Sequence, residues 1–204
     1  MNKKNQELKE NLTGSNEKII KIIYLFNKIQ KDSFFKSQEN LGKIFVPAIG
    51  NVDSKVILIG EAPGKDEEKQ RMPFVGKAGK NLNEVLKKVS FKREEIYITN
   101  VVKFRPFDNK GRNRKPTSLE SQKGLVYLKK ELDIIKPKVI ICLGLTAVNA
   151  LLSEKLSMKE SINKIFNFEG YNLIATYHPS PFNFNRKDLK EKIIKSFERI
   201  RSLI

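Results

Sequence analysis

The chain of 204 residues contains one cysteine, one histidine and no tryptophan. A single thiol, Cys142, forms no internal disulfide and cannot by itself furnish a four-cysteine zinc or iron–sulfur site. A single imidazole, His178, excludes metal sites built from several histidines. No apolar run approaches the roughly 18 residues that cross a bilayer. The opening segment MNKKNQELKENL lacks the apolar stretch of a secretory signal. The expectation is a protein without membrane association, not secreted, in the cytoplasm or wherever the genome resides. Acidic residues are also scarce, 23 against 40 Lys plus Arg, for a formal net charge of +17. That excess favours a polyanionic partner, with nucleic acid first in line, although Lys-rich usage alone also raises charge. Hydrophobic residues make up 39% of the chain, enough for one core, and the length fits one domain.

The first forty or so residues read as helical. Ile19, Ile20, Ile22, Ile23, Leu25 and Phe26 recur at helical spacing, and Asn16 is a plausible N-cap. Helices are expected at 5–12 and 16–32, broken at Thr13-Gly14-Ser15, and residues 1–42 form an extension packed on a domain spanning 43–204. From Lys55 the pattern changes. The run Lys55 to Gly60 is short, continuously apolar and ends in glycine, as in a strand buried on both faces. Ile96–Val102, Val139–Leu143 and Asn172–Tyr177 repeat it, with helical patterns at Ala78–Val89, Ser118–Ile135, Thr146–Leu152 and Asp188–Leu203 between and after. This alternation predicts an α/β protein, a three-layer α/β/α sandwich around a four-stranded parallel sheet.

Ligands of such sheets bind beyond the carboxyl ends of the strands. Four segments meet there: 60–79, 100–116, 144–146 and 178–186. The first carries Gly60-Glu61-Ala62-Pro63-Gly64 and Glu67, where glycines let backbone N–H groups approach a ligand. A nucleotide phosphate loop is rejected because the glycine spacing is too short and Lys65 is followed by Asp66 rather than a hydroxyl residue. The second begins with Asn100 and carries Lys103, Arg105, Lys110, Arg112, Arg114 and Lys115, opposed only by Asp108. It suits contact with a phosphate backbone, or is simply a solvated charge run. Asn100 by itself also fits a strand-end cap. The last holds His178 between a strand and two prolines, then Phe182 and Phe184. An exposed Phe at a basic rim can stack on bases or wedge into a duplex. Packing under the C-terminal helix is the alternative, and suits Phe184 better.

GEAPG at 60–64, PFVGKAG at 73–79, YITNVVK at 97–103, VIICLG at 139–144 and HPSP at 178–181, in this order, resemble the uracil-DNA glycosylase superfamily, and most closely its family 4 branch. The resemblance runs from about Lys55 to Arg186. It implies hydrolysis of the N-glycosidic bond of a uracil flipped out of single- or double-stranded DNA, leaving an abasic site, with no cofactor in the chemistry. Glu61 and Glu67 correspond to carboxylates that flank the base pocket and help orient water. Phe74 corresponds to the ring that stacks on the base, and Asn100 to the amide that reads its Watson–Crick edge. His178 corresponds to the histidine that hydrogen-bonds the uracil O2. Backbone from Gly60 to Ala62 adds hydrogen bonds. Phe182 falls at the position of an apolar wedge. Lys103, Arg105, Arg112, Arg114, Ser180 and Arg186 complete the expected DNA contacts. A monomer suffices for such a reaction.

Three departures stand out. The family 4 branch usually holds a [4Fe–4S] cluster on four cysteines, and Phe104 occupies the position of one of them, so no cluster and no metal are expected. Ala62 stands where the most efficient branch has a water-activating Asp, so turnover is expected to be slower, unless Glu61 and Glu67 substitute. No His lies on the loop 105–117, where a covalently trapping branch has one, so hydrolysis rather than a stable crosslink is expected. Two alternatives remain open. One is excision of another base such as hypoxanthine. The other is a DNA-binding module without catalysis.

Overall fold

Residues 3–162 and 164–204 are described by a computed structural model. Strands β3 (Val56–Gly60), β4 (Tyr97–Asn100), β5 (Val139–Leu143) and β7 (Tyr171–Thr176) are parallel. Their sheet runs in the order β4-β3-β5-β7-β6. The fifth strand, β6 (Ile165–Phe168), pairs antiparallel with β7 at the edge and corrects the expected four-stranded sheet. Glu169 and Gly170, both at positive φ, make the tight turn that joins the two. Two residues, Leu12–Thr13 (β1), pair with Gly50–Asn51 (β2) in a separate small ribbon.

The central strands are buried along their whole length because both faces are covered. Alternation along each strand divides the core. Ile57, Ile59, Ile140 and Cys142 pack with α2 (Asn16–Lys31), α6 (Ser118–Ile135) and α7 (Leu145–Leu152). Leu58, Ile141 and Ile174 pack with α5 (Lys77–Lys88) and α10 (Lys187–Glu198). The result is the expected three-layer sandwich. Short helices fill the connections: α1 (Lys3–Glu10), α3 (Ser33–Ser37), α4 (Lys65–Gln70), α8 (Met158–Ser161) and α9 (Pro181–Phe184).

The N-terminal helices are part of this core. Ile19, Ile22, Ile23, Leu25, Phe26 and Ile29 of α2 are all buried, in the same cluster as Ile57 and Leu128. Ser15, not Asn16, occupies the cap position, and its backbone N–H is held 2.6 Å from Asp53 Oδ2. Below α2 lies a block of aromatic rings. Phe104 packs on Phe35 and Phe45, with centroids 5.1 and 5.7 Å apart, and Phe45 in turn packs edge-on to Phe26. Such contacts contribute about 0.5–1.5 kcal/mol each beyond the area they bury.

Strand β3 has β4 on one side and β5 on the other, so the chain leaves it in opposite directions on successive passes. That reversal opens a crevice at its carboxyl end, where Gly60 stands.

Candidate active site

A cleft of about 520 Å³ opens at this point, lined among others by Glu61, Ala62, Glu67, Phe74, Asn100 and His178. Gly60 ends β3 against two of these side chains. A Cβ there would lie 2.3 Å from Asn100 Oδ1 and 2.6 Å from Phe74 Cζ, so only glycine lets these two side chains approach over the strand end. Asn100 ends β4 and is almost fully buried. Its carboxamide makes no hydrogen bond to another described residue, which leaves one acceptor and two donors facing the cleft.

Phe74 is a non-glycine residue at φ 54°, a conformation that persists only where the surroundings enforce it. The Arg93 guanidinium donates to the carbonyls of Pro73 and Phe74 at 2.8 and 3.1 Å. Glu67 Oε1 accepts from the N–H groups of Val75 and Gly76, and Oε2 from that of Gly64. Gly79 adds close contact, since a Cβ there would meet the Phe74 carbonyl oxygen at 1.8 Å. Glu67 lines the cleft, but three backbone donors hold its carboxylate as a tie between the two rim loops. The sequence expectation makes Glu67 one of two carboxylates that flank the pocket and help orient water; both of its oxygens are committed to backbone N–H groups.

His178 follows β7, its ring centroid 6.0 Å from that of Phe74. Gly144, at φ 99°, backs it closely, and a Cβ there would sit 3.3 Å from His178 Cβ. Asn183 Nδ2 donates to the His178 carbonyl and Asn81 Nδ2 to that of Pro179, both at 2.8 Å, which fixes the loop from two sides. Burial pushes the imidazole pKa down, against the charge of Glu67, which favours the neutral ring with one N–H to donate. Glu61 is half-buried and has no such backbone ties. Burial pushes its carboxyl above the ordinary carboxylate value, opposed by a hydrogen bond with Thr146 and the charge of Lys115.

The basic segment divides. Lys103 is only 2% exposed and pairs with Glu131, so it cannot reach a phosphate in this fold. Arg105 is also buried, bonded to Glu68, Asn113 and the Gly111 carbonyl. Arg114 lines the cleft but spends its guanidinium on Glu120 and on the Asn40, Phe107 and Lys115 carbonyls. These three expected DNA contacts are corrected to internal struts. Arg112 is exposed, with only a surface pair to Asp108, and Lys110 and Lys115 are exposed beside it. Phe182 is 77% exposed and Arg186 is exposed nearby. Phe184 is buried, beneath the Lys190 ammonium. Ser180 is half-buried at the start of α9. Sequence reading missed Arg93, Asn81 and Asn183, because none carries a motif that would announce a loop brace.

The residues present do not fit an iron–sulfur cluster. Phe104 is a buried ring wedged between two others, and Cys142 lies inside β5 with its thiol pushed up by burial. Among the described residues no three His, Cys, Asp or Glu side chains gather as metal ligands.

Comparison with known proteins agrees with this geometry. The family model of the uracil DNA glycosylase superfamily matches residues 47–200. A type-4 uracil-DNA glycosylase of Archaeoglobus fulgidus is 37% identical over 167 residues, covering 78% of this chain and 81% of its own length. Type-4 enzymes of Thermotoga maritima (37% identical, 76% of this chain and 80% of their own) and Saccharolobus solfataricus (36%, 86% and 83%) are similar. With a matched region that includes every cleft-lining side chain described above, this chain belongs to the uracil-DNA glycosylase superfamily.

Proposed function

We propose that the protein excises uracil from DNA by hydrolysing the bond between uracil N1 and the deoxyribose C1′. The observation that carries this reading is the convergence of Phe74, Asn100 and His178 on one cleft. A flipped uracil stacks on Phe74. Asn100 accepts from its N3–H and donates to O4, a pattern that cytosine presents in reverse. As the glycosidic bond breaks, its electron pair moves to the departing base. The neutral His178 N–H donates to O2, where that charge develops. The sugar becomes oxocarbenium-like, water adds at C1′, and Glu61 takes the proton the water gives up. Glu67 acts from behind by holding the Phe74 loop. No step requires a metal or organic cofactor.

Arg112, Lys110, Lys115 and Arg186 supply the phosphate contacts, and Phe182 fills the space the base vacates, which offsets unstacking costs of a few kcal/mol. Among the described residues no helix is long and apolar enough to cross a membrane. We place the protein as a monomer acting where the genome lies, with the N-terminal helical extension, up to residue 42, packed on a catalytic domain of residues 43–204. The test is release of uracil from a labelled oligonucleotide by the wild type and by His178→Ala. A loss of about 10²–10³-fold in kcat is expected. Full activity in the variant removes His178 from the mechanism.

A further inference from the structure

The last two residues of β4, Thr99 and Asn100, rest on a sealed ionic network. The Lys103 and Glu131 side chains are 2% and 0% exposed, with Nζ 2.8 Å from Oε1. The same ammonium donates to the Thr99 hydroxyl and to the backbone carbonyl of Asn100. The Thr99 hydroxyl in turn donates to Glu131 Oε2 at 2.9 Å. Lys103 thus donates two hydrogen bonds into β4 and meets Glu131 Oε1 as an ion pair, without a hydrogen bond to that oxygen, while the Thr99 hydroxyl serves as both donor and acceptor.

Stability is a weak reason for such a pair. Desolvation of two charges consumes most of their attraction, and apolar side chains of similar volume often serve as well or better. What the pair does that apolar packing cannot is aim hydrogen bonds. Strand β4 is at the sheet edge, and the Asn100 carbonyl stands at its last position. Without Lys103 that carbonyl would lose its buried donor, and the peptide that carries the Asn100 side chain could rotate. On its other flank the segment is already held, since the N–H groups of Val101 and Val102 donate to the carbonyls of Gly60 and Glu61. Lys103 and Glu131 fix the remaining side.

We propose that Lys103 and Glu131 are positioning residues, a buried pair that sets the orientation of the Asn100 carboxamide toward the base without touching substrate. The proposal rests on the reading of Asn100 as the base-recognising group. Small misplacements at a reacting centre are costly, about 10²-fold in rate for displacements near 1 Å.

The test replaces the pair by apolar side chains, Lys103→Met with Glu131→Leu. Each variant is assayed for thermal unfolding, uracil excision, inhibition by free uracil, and affinity for DNA carrying an abasic site. The double variant is expected to unfold within a few degrees of wild type, to lose about 10- to 100-fold in kcat/KM, and to be inhibited by free uracil correspondingly less. Its affinity for abasic DNA, which offers Asn100 no base, stays unchanged. A double variant with wild-type kcat/KM and uracil inhibition overturns the proposal. Should it fail to fold, Thr99→Val decides the matter, because it removes the hydroxyl bridge and leaves the charges paired. Several-fold weaker excision and uracil inhibition at unchanged abasic-DNA affinity support the proposal, and wild-type values overturn it. Asn100→Ala accompanies both. Full activity there overturns the base-reading role and the proposal with it, whereas an inactive Asn100→Ala beside fully active pair variants overturns the positioning role alone.

Discussion

Glu67 and Glu61 lie six residues apart on one loop, and Arg105 and Arg112 seven apart on another, yet within each pair the two residues work differently. Glu67 and Arg105 belong to the body that holds the cleft in shape, with oxygens and nitrogens committed to backbone groups and other side chains. Glu61 and Arg112 belong to the rim. One faces the cleft and the other solvent, and neither is bound to the backbone in this way. The body uses charge to hold loops in place. The rim keeps charge available for a ligand. An identical residue type therefore predicts opposite responses to substitution, depending on which of the two it serves.

Glu61→Gln probes the rim with the largest effect. We expect kcat to fall by about 10³-fold, measured by single-turnover excision. Because burial raises the folded-state pKa of Glu61, the proton-accepting form is gained only above the ordinary carboxylate range. The acid limb of the wild-type profile lies there and vanishes in the variant. The stability sign is opposite to that of a paired carboxylate. The folded state holds the proton more tightly than the unfolded one, so this group's contribution is greatest at low pH and is lost as pH rises through the folded value. At neutral pH Glu61→Gln therefore melts at or slightly above the wild-type temperature. A clear drop in Tm would move Glu61 into the body.

Arg105→Ala probes the body. It leaves Glu68 without its partner and two further acceptors unfilled, at a cost of about 3 kcal/mol in urea unfolding. The slope of DNA affinity against salt should not change. The combined change of Lys110, Arg112 and Lys115 to Ala should do the reverse, with unaltered unfolding. The slope of log affinity against log salt becomes shallower by about 0.9 for each duplex phosphate that is no longer neutralised. If the two variants exchanged these phenotypes, the division between body and rim would fail. The smallest effect belongs to Phe182→Ala, a loss of about 1 kcal/mol on duplex substrate and less on single strands, measured as kcat/KM on matched oligonucleotides.

Which parts of this arrangement can be read along the chain follows from where each residue finds its partners. Asn100 and His178 are legible because each sits in a short motif at or just past the end of a strand, and a parallel sheet gathers strand ends, whereas Phe74 is legible from its own PFVGKAG motif in the connection between α4 and α5. Lys103, Arg105 and Arg114 look like the exposed cations beside them, because the carboxylates that pair with them are distant or unmarked. Glu131 lies on a helix far downstream, and Glu68 lies 37 residues upstream of Arg105. Glu67 is legible as a pocket carboxylate but not as a loop tie, since its partners are backbone groups that any sequence possesses. The strand at Ile165–Phe168 is hidden because half of it faces solvent and its apolar run is interrupted by Asn167. The Glu169-Gly170 turn after it is the signal that marks it.

Phe104 has a consequence outside catalysis. A segment fastened by carbon rings reaches its final shape as soon as the polypeptide is made, with no delivery of iron or sulfide to await. Peroxide or superoxide finds nothing at this spot to strip away, so the segment leading out of β4 keeps its anchorage under conditions that would dismantle an inorganic one.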